Sequence, residues 1–135
     1  MGMHIGTPVF GGTHTTHSTK GVKSFTSSGT FKTKVPLKCE VLIVGGGGGG
    51  RGHITGLSPG GGGGTVLHNT AFIAAPGSYT ITIGAAGAVN TDGGSTTAFS
   101  QTATGGGTGG ATTGGNGGNG GGGAMAFNPT TTHAG

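Results

Sequence analysis

The chain has 135 residues, the length of one domain, yet 38 of them are glycine and only eight are charged, giving a net charge of +4. Leu, Ile, Val and Phe together supply 23 residues, below the roughly 20% that ordinarily sustains a packed core, while the scarcity of charge is equally unlike a disordered chain. Side-chain burial alone is therefore too small a source of stability. With a single cysteine, Cys39, no intrachain disulfide can replace it, and association between copies becomes the expected support.

Residues 1–21 are rich in Gly, Thr and His without periodicity and read as an extended N-terminal arm. The opening MGMHIGTPVFGG has no basic stretch followed by an apolar run, so no signal peptide is read and synthesis in the cytoplasm is expected. Gly6 stands where a myristoylation signal needs Ser or Thr, and no apolar stretch approaches the roughly 20 residues of a membrane span.

Residues 22–124 read as a glycine-rich β domain. In KSFTSSGTFKTKVP, Phe25, Ser27, Gly29 and Phe31 share one parity, which predicts a strand, a Ser-Ser-Gly turn and a second short strand. Pro36 interrupts, and CEVLIV follows as the most apolar run of the chain, placing residues 40–44 at the centre of the expected core. Six glycines at 45–50, RGHITGLSP and five more glycines at 60–64 precede three predicted strands at 65–67, 71–74 and 78–83, the last two joined by a Pro76-Gly77 turn. Tyr79, Ile81 and Ile83 alternate with Ser and Thr, as a sheet with one wet face requires. Farther on, STTAFSQTAT suggests one more short strand carrying Phe99 inward, and residues 125–135 form a C-terminal tail. No helix is predicted.

The stretch GGNGGNGGGG repeats with period three, the repeat of a polyproline-II-type helix, whose backbone groups point outward. Glycine lets several such segments approach and bond to one another. Flexible linkers are the alternative for glycine-rich sequence, but these runs are interleaved with strands, and ordered polyglycine-II-like segments are the reading adopted.

The motifs that carry catalytic chemistry are missing. CEVLIVGGGGGG imitates a strand followed by a dinucleotide-binding turn, but RGHITGLSPGGGGG cannot form the helix whose amides would hold a pyrophosphate. Glu40, in a predicted core strand, and Asp92, in a glycine turn, are poorly placed as an acid/base pair. His14 and His17 have metal-ligand spacing but no neighbouring Cys or carboxylate, and are read as solvated. Cys39 is read as a buried thiol behaving as a small hydrophobe. With six basic residues, one Tyr and no Trp, the positive charge has no stacking surface beside it, and nucleic acid is not expected as a partner. A non-enzymatic protein without cofactor or metal is therefore expected.

KSFTSSGTFKTKVP, CEVLIVGGGGGG, SYTITIGAAG and TATGGGTGG, in that order over about residues 22–124, resemble the glycine-rich domain of phage tail proteins and tail-fibre tips. The resemblance implies an all-β fold, a small β-sandwich carrying glycine-rich loops on a particle that exposes them to a host surface. It implies a virion location, a homotrimer, and contact with other virion proteins through residues 1–21. A host cell-surface glycan or outer-membrane protein would be the external partner, without membrane insertion. Arg51, His53, Leu57, Asn116 and Asn119, the side chains that interrupt the glycine blocks, are the candidate binding residues. A tail-tip adhesin and a capsid-surface subunit both fit these expectations. A self-assembling extracellular filament or matrix protein, or an ice-binding protein with a Thr- and Gly-rich face, would use the same composition.

Overall fold

The computed structural model describes residues 13–17, 20–52, 58–110 and 113–123. Among these residues the fold is all-β, without a helix: β1 (Thr13–His17), β2 (Lys20–Ser24), β3 (Gly29–Thr33), β4 (Leu37–Val44), β5 (Val66–Ala74), β6 (Gly77–Ile81), β7 (Thr96–Ala98) and β8 (Gln101–Ala103). All ladders are antiparallel and pair β1 with β2, β3 with β6, β4 with β5 and β7 with β8. Reciprocal backbone bonds between Thr82 and Thr97, at 2.9 and 2.8 Å, connect the β6 side to β7. The β4–β5 ribbon packs against β7 and β8, an arrangement consistent with a small sandwich.

The core is shared by every strand from β3 to β8. Phe31, Ile43, Ala74, Ile81, Ala98 and Ala103 are buried together, with Phe25, Leu37, Cys39, Val41, Leu67, Phe72, Tyr79, Ile83 and Phe99 packed around them. Three of the six buried residues are alanines, and no large side chain is fully buried, in keeping with the shortage of apolar residues. Cys39 sits at the edge of this cluster as a half-buried free thiol. Burial pushes its pKa up, against the smaller opposite pull of a backbone hydrogen bond at Ala74.

Several sequence expectations are corrected here. The two strands flanking the Ser-Ser-Gly turn are present as β2 and β3, but they take different partners: β2 pairs with β1 and β3 crosses to β6. The Ser28 hydroxyl at that turn accepts from the amide of Ile83 at 2.9 Å, tying it to the end of β6. The predicted strands at 65–67 and 71–74 are one strand, β5, which begins at Val66 and whose polar centre His68-Asn69-Thr70 runs along an irregularity in the register opposite Cys39 and Val41. The Asn69 side chain accepts from the Ala71 amide at 3.1 Å, so a run read as a break is a strand carrying a bulge. β4 alternates: Ile43 is buried at 4% exposure, but Leu42 is 63% exposed and Glu40 reaches His68 across the outer face, Oε1 to Nε2 2.6 Å. Period-two geometry, and not apolar composition, decides which side chains of β4 are buried.

STTAFSQTAT forms two strands. Phe99 and Ser100 make the tight connection between β7 and β8, both with positive φ (52° and 60°), the signature of a type I′ hairpin turn usually given to Asn and Gly. Phe99 does turn inward, packing against Phe31, Phe72 and Tyr79 with ring centroids 5.6, 4.9 and 5.0 Å away. Those aromatic contacts hold a conformation that a bulky residue rarely adopts.

Candidate binding surface: the glycine bundle

Where the strands end, the chain continues extended. β4 runs out into residues 45–51, residues 59–65 lead back into β5, residues after β6 continue as 84–90, 91–94 return into β7, and β8 runs out into 104–110. These segments carry no sheet ladder but bond to one another every third residue. The amides of Gly45, Gly48 and Arg51 donate to the carbonyls of Thr65, Gly62 and Pro59 at 2.9, 2.8 and 3.0 Å. On another side of the same segment, Gly46 and Gly49 donate to Gly94 and Thr91, while their carbonyls accept from Gly106 and Gly109. On a third side, the carbonyls of Gly47 and Gly50 accept from Gly87 and Asn90. Bonds spaced by three and sent to different neighbours are what a three-residue-per-turn helix without internal hydrogen bonds makes when it packs beside others of its kind.

Segment 104–110 is the centre of this bundle. Its amides at Gly107 and Gly110 donate to Asn119 and Gly122, and its carbonyls at 104 and 107 accept from Thr65 and Gly62, those at 105 and 108 from Gly118 and Gly115, and that at 106 from Gly93. Gly105, Gly106, Gly107, Gly109 and Gly110 are all buried. The bundle thus pairs in its interior most of the backbone groups that a loop would have to leave to water.

The need for glycine here is steric. Among the described glycines only Gly77 has a positive φ, at 159°, so left-handed freedom is not what the bundle uses. A Cβ added at Gly45, Gly46, Gly48, Gly49, Gly106 or Gly109 would run into the carbonyl of a neighbouring segment. In 84–89 the sequence reads Gly-Ala-Ala-Gly-Ala-Val: the glycines at 84 and 87 lie where a Cβ would strike backbone, and the other positions are exposed. The rule is the one that places glycine at every third position of collagen.

Polar side chains close the bundle's ends. Thr96, buried at 3% exposure, accepts from the amide of Gly84 at 3.0 Å, steering the chain from β6 into the bundle. At the far end, Asn90 (φ 64°) is the third residue of a turn in which Thr91 donates to Ala88, and its side chain accepts from the amide of Gly52 at 3.1 Å. Asp92 accepts from the amide of Thr108 at 2.7 Å, and the Thr108 hydroxyl donates to Gly49 at 3.1 Å.

Of the candidate binding residues, His53 and Leu57 lie outside the described residues. Arg51 is at the far end, half-buried, with its Nε buried and meeting no partner among the described residues. Asn116 and Asn119 are exposed on the flank of the bundle, where the Asn119 side chain donates to Gly64 at 3.4 Å, near the sheet. Arg51 and the two asparagines therefore occupy different parts of the bundle. The structural residues missed in the sequence, Asn90, Asp92 and Thr108, were signalled by polar turn formers standing alone in Gly- and Ala-rich sequence. No group of three or more metal-ligating side chains occurs among the described residues, and no helix is long and apolar enough to cross a membrane.

A family model described as a glycine-rich domain matches residues 26–135. No curated protein and no solved structure matches the chain.

Proposed function

The chain belongs to the glycine-rich domain family, and from that premise we propose that it is a non-enzymatic structural and binding protein of a tailed phage particle, exposed as a tail-tip adhesin or a capsid-surface subunit. The observation that carries this reading is the bundle itself. A β platform with a small core holds ordered segments outward, and the segments end at Arg51 and at the turn that carries Asn90, with Asp92 following it. Such a surface offers a contact partner many fixed backbone groups and few charges. That suits a glycan or the loops of an outer-membrane protein, with Arg51 at the contacting end and Asn116 and Asn119 on the flank. Residues 1–21 would join other virion proteins, and the copies would associate with one another.

Immunogold labelling with an antibody to the folded domain tests the placement. Gold confined to tails or capsids of intact particles is expected. Gold on free filaments would replace this reading with an extracellular filament protein, and absence from particles combined with thermal hysteresis of the purified chain would replace it with ice binding.

A further inference from the structure

At three places in the chain a side-chain carbonyl group stands directly before a glycine: Asp92 before Gly93, Asn116 before Gly117 and Asn119 before Gly120. In such a pair the glycine nitrogen can attack the side chain that precedes it, because no Cβ on the glycine obstructs the approach. The two Asn-Gly pairs sit three residues apart in one repeat, and the sequence does not rank them. Their hydrogen bonding does.

Ring closure requires the peptide unit between the two residues to turn toward the side chain, so every hydrogen bond on that unit or on the side chain opposes it. Asp92 and Gly93 are both held: the carboxylate accepts from the Thr108 amide at 2.7 Å, and the Gly93 amide donates to Gly106 at 2.8 Å. Asn119 is held as well. Its carbonyl accepts from the central Gly107 amide at 3.0 Å, and its side-chain amide donates to Gly64 at 3.4 Å. At Asn116, by contrast, the backbone carbonyl, the side chain and the following Gly117 amide meet no partner among the described residues. Asn116 is exposed and stands at the start of a bend over residues 117–119, after which the Gly121 amide returns to the Gly115 carbonyl at 3.1 Å.

We propose that Asn116 is a site of spontaneous deamidation in the folded protein, reacting ahead of Asn119 and loosening the glycine bundle as it does so. The Gly117 nitrogen loses its proton to hydroxide and bonds to the Asn116 Cγ. The Cγ–Nδ2 bond breaks, and Nδ2 takes a proton from water and leaves as ammonia, which closes a succinimide ring. Water then opens the ring at one of its two carbonyls. Cleavage between Cγ and the Gly117 nitrogen gives aspartate at position 116, whereas cleavage at the backbone carbonyl gives isoaspartate, in which the main chain runs through Cβ and Cγ and is longer by one carbon. Both products place a new carboxylate on the flank of a chain whose net charge is +4. Isoaspartate also strains the packing. Gly117 lies where even an added Cβ would strike the backbone of residues 105–107, between the bonds from Gly115 to Thr108 and from Gly118 to Gly105, both 2.7 Å. An extra main-chain carbon immediately before Gly117 displaces it from this contact and works against both bonds.

The test is ageing of the full chain in mildly alkaline buffer at physiological temperature, folded and in guanidinium, followed by digestion in acid and mass-spectrometric peptide mapping that separates aspartate from isoaspartate. In guanidinium, Asn116 and Asn119 are expected to react at similar rates. In the folded chain Asn116 is expected to react at least about fivefold faster than Asn119, the difference that the bonds at Asn119 impose on the barrier. The thermal midpoint of the wild type is expected to fall as isoaspartate accumulates at position 116, while Asn116→Gln, whose longer side chain closes its ring far more slowly, holds its midpoint under the same ageing. Equal rates at the two asparagines in the folded chain, faster reaction at Asn119, or no reaction at Asn116 over the time that suffices in guanidinium would overturn the site. An equal fall of the midpoint in Asn116→Gln would overturn its effect on the bundle. The rate comparison uses the wild-type chain alone, so it decides the site whether or not the variant folds.

Discussion

The amide of Gly48 donates to the carbonyl of Gly62 at 2.8 Å, and the next bonds between their two segments fall three residues away on either side, at Gly45 with Thr65 and at Arg51 with Pro59. That spacing makes the glycine-rich half of the chain an architecture, and it gives individual glycines different weights.

Gly117 and Gly120 share a period-three repeat but not an environment. A Cβ at Gly117 would strike the backbone of residues 105–107, whereas at Gly120 the nearest atom is the Gly115 carbonyl at 3.7 Å. Gly117→Val should lower stability by about 3 kcal/mol, on the order of 10 °C in midpoint. Gly120→Ala should leave it unchanged or raise it by about 0.5 kcal/mol by restricting the unfolded chain. Thermal unfolding of the two variants checks both values.

On β4, Ile43→Asp should abolish soluble folding, since it buries an unpaired charge in the core cluster. Leu42→Asp, at a side chain 63% exposed, should fold with a change of about 1 kcal/mol or less. Soluble yield and circular dichroism read the contrast, and equal damage at both positions would refute the alternation of the strand.

The β7–β8 turn places Ser100 at φ 60°, a conformation that glycine adopts without steric cost. Ser100→Gly should stabilise by about 1 kcal/mol. Phe99→Gly relieves the same strain but removes contacts with three aromatic rings, and should destabilise by roughly 2 kcal/mol. Denaturant midpoints would show the opposite signs.

Asp92→Ala removes the acceptor for the Thr108 amide and should cost about 1–2 kcal/mol, while Asp92→Asn, which keeps an acceptor, should recover most of it. Equal losses in the two variants would mean that charge, and not the bond, is what this residue supplies.

Period-two alternation made β6 legible, because Tyr79 and Ile81 face the core between exposed Ser78 and Thr80. The three-residue repeat at Asn116 and Asn119 made the glycine bundle legible. What stayed hidden was pairing between distant segments. Nothing local to Phe31 says that its strand crosses to Tyr79, and the apolar run at 41–44 conceals which residues face water. The β7–β8 turn escaped because Phe-Ser is not turn sequence, and only the aromatic cluster assembled around it makes it one. For the candidate site, the sequence signal is interruption of polyglycine by a side chain. Such interruptions fall wherever a Cβ fits, and so at several separate places on the bundle.

Amide hydrogen exchange followed by NMR tests the bundle most directly. The account predicts strong protection at Gly106, Gly107, Gly109 and Gly110, whose amides donate to Gly46, Asn119, Gly49 and Gly122, comparable to that of Ile81 and Ile43 in the strands. Exchange of those four glycines at the rate of an unstructured chain, with the strands still protected, would contradict it.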